Sequence, residues 1–199
     1  EQMIPFSGTL YDEIYNENPR KKENKKQVIL SSGKLLDTKR LGGLPSIVTQ
    51  LLNKYSDSED ITYYRLGVPS SPSSILHCLF EALHHKEYTH NGDISKTDAE
   101  KEEYVISFRR NLTRININLD IVKQELFDYT KQQIGDLLTN PEVFLDPALF
   151  YRIIEELFNI NIYVFTTPRN NEESFAMIEM PRNKIFHTRR FNPKRKTLV

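Results

Sequence analysis

Arg65-Leu66-Gly67-Val68-Pro69-Ser70-Ser71-Pro72-Ser73-Ser74-Ile75-Leu76-His77-Cys78-Leu79-Phe80-Glu81-Ala82-Leu83 decides how the rest of the chain is read. An apolar run ends at Val68, a Pro/Ser turn follows, and an apolar helix begins at about Ser74 and runs to His85. Nucleophile enzymes expose a reactive side chain in such a turn, where the helix N-terminus adds a positive partial charge. Here the residue at the reactive spot is a serine.

On the N-terminal side, Leu10, Tyr11, Ile14 and Tyr15 fall at helical spacing, and residues 19–26 form a basic run that reads as a solvated connector. Gln27 to Ser31 is expected as a strand with Gly33 turning it, and Gly42-Gly43 as a chain break. Pro45 then opens a helix whose apolar face is Ile47, Val48, Leu51 and Leu52. Ser56 to Asp60 is a polar loop, and Ile61 to Val68 a strand.

On the C-terminal side, Asn91-Gly92 marks a turn, and Asp98 can cap a helix bearing Tyr104, Val105, Phe108 and Leu112. Further helices are expected around Leu119, Val122 and Leu126, and around Ile134, Leu137 and Leu138 up to Asn140-Pro141. Asp146-Pro147 is a strong helix start, with Leu149, Phe150, Ile153, Ile154 and Leu157 on its apolar face. Asn159 to Phe165 is β-branched and aromatic and reads as a buried strand. Pro168 to Glu173 is a polar turn, and strands are expected at Phe175 to Met180 and Lys184 to His187. Helices followed by a cluster of late strands give an α+β fold.

The 199 residues fit one sizeable domain or a domain with an extension. Lys+Arg 27 against Asp+Glu 27 leaves no net charge, so bulk charge points to neither nucleic acid nor a membrane. No apolar run is long enough to span a bilayer. The lone cysteine, Cys78, cannot form an internal disulfide, which fits a reducing, cytoplasmic setting. The chain opens on Glu1 and closes on a strand-like Lys196-Thr197-Leu198-Val199, so a longer parent protein is expected.

Val68 to Leu79 resembles, without gaps, the catalytic turn of the OTU (ovarian tumour) deubiquitinases, which reads apolar-Pro-x-Asp-Gly-Asn-Cys before two large apolar residues. Glu155 to Val164 resembles the family's central strand and its approach, and the strand ending at His187 its histidine strand. The resemblance covers residues 61–199 and implies a papain-like domain, a small sheet flanked by helices, after a 1–60 extension. In this register Ser74 takes the nucleophile position and His187 that of the general base. Ser71, Pro72 and Ser73 replace the family's Asp, Gly and Asn, and Arg189 replaces its acidic or amide partner. Each departure works against a Cys–His reaction. A hydroxyl ionises far less readily than a thiol. Proline has no N–H to offer an oxyanion, and Arg189 cannot accept a hydrogen bond from imidazole.

A register shifted by four residues matches Cys78-Leu79-Phe80-Glu81-Ala82-Leu83 to the family's Cys-Leu-Phe-x-Ala-Leu and makes Cys78 the alternative nucleophile. Ser74 is nevertheless the better N-cap. A cysteine changed to serine at Ser74 alone would not account for Ser71, Pro72, Ser73 and Arg189 together. No cofactor is implied. His77, Cys78, His84, His85 and His90 cluster in sequence without a CxxC or HxxxH pair, so no metal is expected.

The resemblance therefore implies a ubiquitin-directed, catalytically degenerate module that binds ubiquitin-like or other protein partners, or serves structurally within a larger protein. Two alternatives stand beside it. One is an active deubiquitinase using Cys78, or a cysteine replaced at Ser74, with His187. The other is a nucleic-acid-associated or virion-scaffold module using the basic segments, although nucleic acid is not the expected partner. A turn altered in this way also resembles those of large-DNA-virus proteins.

Overall fold

The computed structural model describes residues 28–29, 35–54, 61–112, 129–166, 177–178 and 192–198. The expected helix within 1–18, the 19–26 connector, the 56–60 loop, the helix around Leu119 and the Lys184 to His187 strand lie outside the described residues. So does the 168–173 turn.

The N-terminal part is a three-stranded sheet in the order β1 (Val28–Ile29), β2 (Leu41–Gly43), β3 (Tyr64–Leu66). β1 runs parallel to β2, and β3 antiparallel to it with Leu41 opposite Leu66. This sheet links strands from both sides of residue 60. Gly42-Gly43 thus pairs within a strand instead of breaking the chain. Leu36 packs so closely on Gly42 that a Cβ there would lie 2.8 Å from its Cδ2, so a larger residue would require the Leu36 side chain to shift.

Gly67 follows β3 and is buried. It exchanges backbone hydrogen bonds with Lys39 and Arg40, and a Cβ on it would fall 2.0 Å from the Asp37 carbonyl oxygen. Only glycine allows this approach. Gly67→Ala is expected to destabilise by about 2 kcal/mol or more, because backbone must shift, whereas Gly135→Ala, with open space around it, is expected to be neutral or stabilising. Paired urea titrations of the two variants check this.

Helix α1 (Ser46–Lys54) buries only Val48 from its expected apolar face. Ile47 and Leu51 are exposed, because α1 lies outside the main hydrophobic cluster. That cluster is built from α2 (Ser74–Ala82), α3 (Lys86–Thr89), α4 (Asp98–Arg110), α5 (Lys131–Thr139), α6 (Pro147–Phe158) and β6 (Ile160–Ile162). Between α3 and α4 a small hairpin pairs β4 (His90–Asn91) with β5 (Ile94–Ser95), and Gly92 supplies its positive φ of 63°.

The caps explain the helix starts. Thr97, not Asp98, caps α4: its hydroxyl accepts from the Glu100 N–H, and the Glu100 carboxylate accepts from the Thr97 N–H. Thr97-Asp98-Ala99-Glu100 is a capping box, which satisfies two terminal donors where Asp98 would satisfy one. Thr130 and Gln133 repeat the device at α5. Asp146 caps α6 with Pro147 in its first turn, as expected, and Asn159 closes α6 in the left-handed region at φ 52°.

The chain then enters β6, every residue of which is buried. β6 pairs in parallel with β9 (Lys196–Leu198), and β7 (Phe165–Thr166) antiparallel with β8 (Met177–Ile178). The Asn161 amide donates to the Asn192 carbonyl and accepts from the Asn192 N–H, fastening β9's approach to β6. Helices around a core with small separate sheets make an α+β architecture. No helix among the described residues is long and apolar enough to cross a membrane.

Candidate functional site

The turn between β3 and α2 is tied to itself and to two other segments. Ser74, the first residue of α2, does not cap the helix; Ser73 holds the cap position. The Ser74 hydroxyl accepts from the Ser71 N–H at 2.9 Å and donates to the Ser71 carbonyl at 2.7 Å. The Ser71 hydroxyl in turn accepts from the Ser73 N–H at 3.1 Å. The side chains at 71 and 74 therefore hold the turn's own backbone. The Pro72 carbonyl accepts from the Leu145 N–H at 2.8 Å, which pins the turn to the segment before α6.

Ser73 is fully buried, and its hydroxyl makes no cap bond because it accepts from Arg109 Nη1 at 2.9 Å. Arg109 is also fully buried. Its Nε donates to the Leu138 carbonyl, its Nη2 to that of Leu137, and Nη1 also to those of Val143 and Pro141. The guanidinium thus fills the carbonyl end of α5, where a helix dipole favours a cation, and joins it to the turn. Burial lowers its pKa to about 10, which leaves it charged at neutral pH. This residue was not singled out from the sequence. The available signal was the four-residue period of Lys101, Val105 and Arg109, all buried on one side of α4.

Cys78 is exposed on α2. Although the residue reaches solvent, protein packed around the sulfur pushes the thiol's pKa up; a backbone hydrogen bond opposes this in part, and the Glu81 charge adds a smaller upward push. A thiol held in this way is mostly protonated at neutral pH.

One turn of helix from Ser74, His77 points inward and is fully buried. Its Nδ1 is 2.7 Å from the Tyr88 hydroxyl and its Nε2 2.7 Å from Glu102 Oε2. The structure thus brings Ser71, Ser73 and Ser74 together with Arg109, and places His77 and Cys78 on different faces of α2. His187 and Arg189 lie outside the described residues. Among the described residues no group of three or more His, Cys, Asp or Glu side chains could hold a metal ion.

No family model matches the chain, and no solved structure matches it. Two viral proteins are similar to it. Uncharacterized protein 016R of Invertebrate iridescent virus 3 is 24% identical over 166 residues, 83% of this chain and 13% of that protein. Structural protein ORF43 of Trichoplusia ni ascovirus 2c is 27% identical over 107 residues, 53% of this chain and 10% of that protein. The chain thus spans about an eighth of the first relative's length and a tenth of the second's, so in both the similarity is confined to one segment of a much longer viral polypeptide.

Proposed function

We propose that this chain is an OTU-like, papain-type module whose nucleophile position has been converted to structure, and that it acts as a protein-binding or structural domain of a larger viral protein. One observation carries the reading: the Ser74 hydroxyl gives its proton to the Ser71 carbonyl inside its own turn. A serine nucleophile needs that proton directed at a base instead. Pro72 adds a peptide without an N–H at the spot where the family has glycine. The ascovirus relative is named a structural protein, which favours the structural role over hydrolysis. It equally favours a virion-scaffold part without an OTU-like ancestry, which the test below separates by ubiquitin binding.

Incubation with a ubiquitin–propargylamide probe and a fluorogenic ubiquitin substrate is expected to give neither an adduct nor turnover, at Ser74 or at Cys78. An adduct on Cys78, mapped by peptide mass, overturns the reading in favour of an active deubiquitinase. Nuclear magnetic resonance titration with unmodified ubiquitin then reports binding: perturbed shifts around 69–74 support an OTU-like binding face, and no shift at millimolar ubiquitin leaves the purely structural role.

A further inference from the structure

We propose that the buried His77 ring, bridged between Tyr88 and Glu102, is an acid-release latch that holds α3 and the β4–β5 hairpin against α2 and α4. As a carboxylate Glu102 only accepts hydrogen bonds, so Nε2 carries the ring proton and donates to it. Nδ1 is then an acceptor and receives the Tyr88 hydroxyl proton. Neutral imidazole satisfies both partners, one on α3 and one on α4. A second ring proton on Nδ1 removes the acceptor that Tyr88 uses. Tyr88 is fully buried, and among the described residues its hydroxyl has no other hydrogen bond. The Tyr88 oxygen can then accept from Nδ1–H, but its own buried proton is left without an acceptor, which favours opening.

The groups facing the latch come from each element around it. α2 contributes Glu81 and Cys78; α4 contributes Asp98, Lys101 and Glu102. Lys101 is buried, ion-paired to Glu81, with its ammonium 4.9 Å from the centre of the Tyr88 ring. A cationic His77 would sit beside that ammonium. Burial lowers the His77 pKa below its ordinary 6.5, against the opposing hydrogen bond and charge of Glu102. The folded state therefore binds fewer protons than the unfolded or opened state once the pH falls below 6.5. The latch is fully held above pH 6.5, weakens as pH falls from there to the folded-state midpoint, and changes no further below it. The hairpin moves with α3 because the Lys96 N–H donates to the Thr89 carbonyl at 2.9 Å.

The test uses the intact chain. Imidazole nitrogen resonances followed with pH are expected to show His77 as the Nε2–H tautomer with a midpoint below 6.5. Hydrogen exchange of the Tyr88 and Thr89 amides, corrected for intrinsic rates, is expected to lose about tenfold protection per pH unit between 6.5 and that midpoint. His77→Gln keeps a donor and an acceptor but cannot titrate, and is expected to abolish this loss. A midpoint at or above 6.5, or protection that does not follow the His77 titration, overturns the proposal. The wild-type measurement decides the matter even where the variant does not fold.

Discussion

Arg109→Met is expected to lower folding stability by about 3–5 kcal/mol, the range seen when one partner of a buried charged arrangement is removed. Methionine fills much of the same space and restores none of the donors. It leaves the Leu138 carbonyl and the Ser73 hydroxyl buried without a hydrogen-bond donor, and the carbonyls of Leu137 and Val143 without one in partly buried positions. Each orphaned acceptor costs about 1–3 kcal/mol in principle, and local relaxation recovers part of the sum. Ser73→Ala removes one acceptor while Arg109 Nη1 keeps Val143, so it is expected to cost only about 1 kcal/mol. Urea unfolding monitored by circular dichroism checks the series, and an Arg109→Met loss below about 1 kcal/mol would show that the guanidinium is not a keystone. With a folded-state pKa of about 10, Arg109 is charged in both states below pH 9, so this loss should not vary between pH 6 and pH 8.

Phe80→Ala should be comparably severe, at about 3–5 kcal/mol. Phe80 has no exposed surface, and its ring meets Phe108 edge-on at 5.1 Å, Tyr104 at 5.5 Å and Phe158 at 5.8 Å between centroids. Those rings come from α4 and α6, so the cavity would open where the helices meet. Rigid neighbours on several sides limit collapse into it, which places the expected value in the upper half of the range. With an m-value of about 2 kcal/mol/M, the urea midpoint falls by about 2 M. Phe80→Leu retains most of the volume and should lose less than half as much. Equal losses for Ala and Leu would assign the energy to ring–ring geometry rather than to filled space.

Much of the helical framework could be read directly from residues. Asp146-Pro147 forecast the start of α6 and Asn140-Pro141 the end of α5, because each depends on local chemistry; of the buried strand expected over Asn159 to Phe165 only Ile160–Ile162 forms it, since Asn159 closes α6. The capping residue of α4 slipped by one, since Thr97 and Asp98 are both good caps and only the Glu100 partner separates them. Gly42-Gly43 misled because pairing with β1 and β3 sets its conformation, and Ile29 and Arg65, the partners of Gly42, are distant in sequence.

The candidate site was legible as a strand, a turn and a helix, but not in how its polar groups are used. Ser71 and Ser74 look alike in sequence whether they serve chemistry or the turn; their hydrogen bonds to one another's segment settle which partners they have. Arg109 was hidden because an arginine near a helix end ordinarily reads as solvated. Its inward position follows from a ring of carbonyls contributed by residues 137–143, about thirty positions away. His77 was read with its histidine neighbours, while its partners lie on the following two helices.

The pairing of β6 with β9 has a kinetic consequence. Asn161 and Thr197 are 36 residues apart, whereas the hydrogen bonds inside each helix, and contacts such as that of Phe80 with Tyr88, join near neighbours along the chain. Helical contacts of low sequence separation form first, and closure of so long a loop comes late. During that interval Ile160-Asn161-Ile162 presents an apolar strand with an open edge, a template for association with other chains. Synthesis of this segment is thus a race between arrival of Lys196–Leu198 and capture of β6 by another molecule, and crowding many copies together weights that race toward capture.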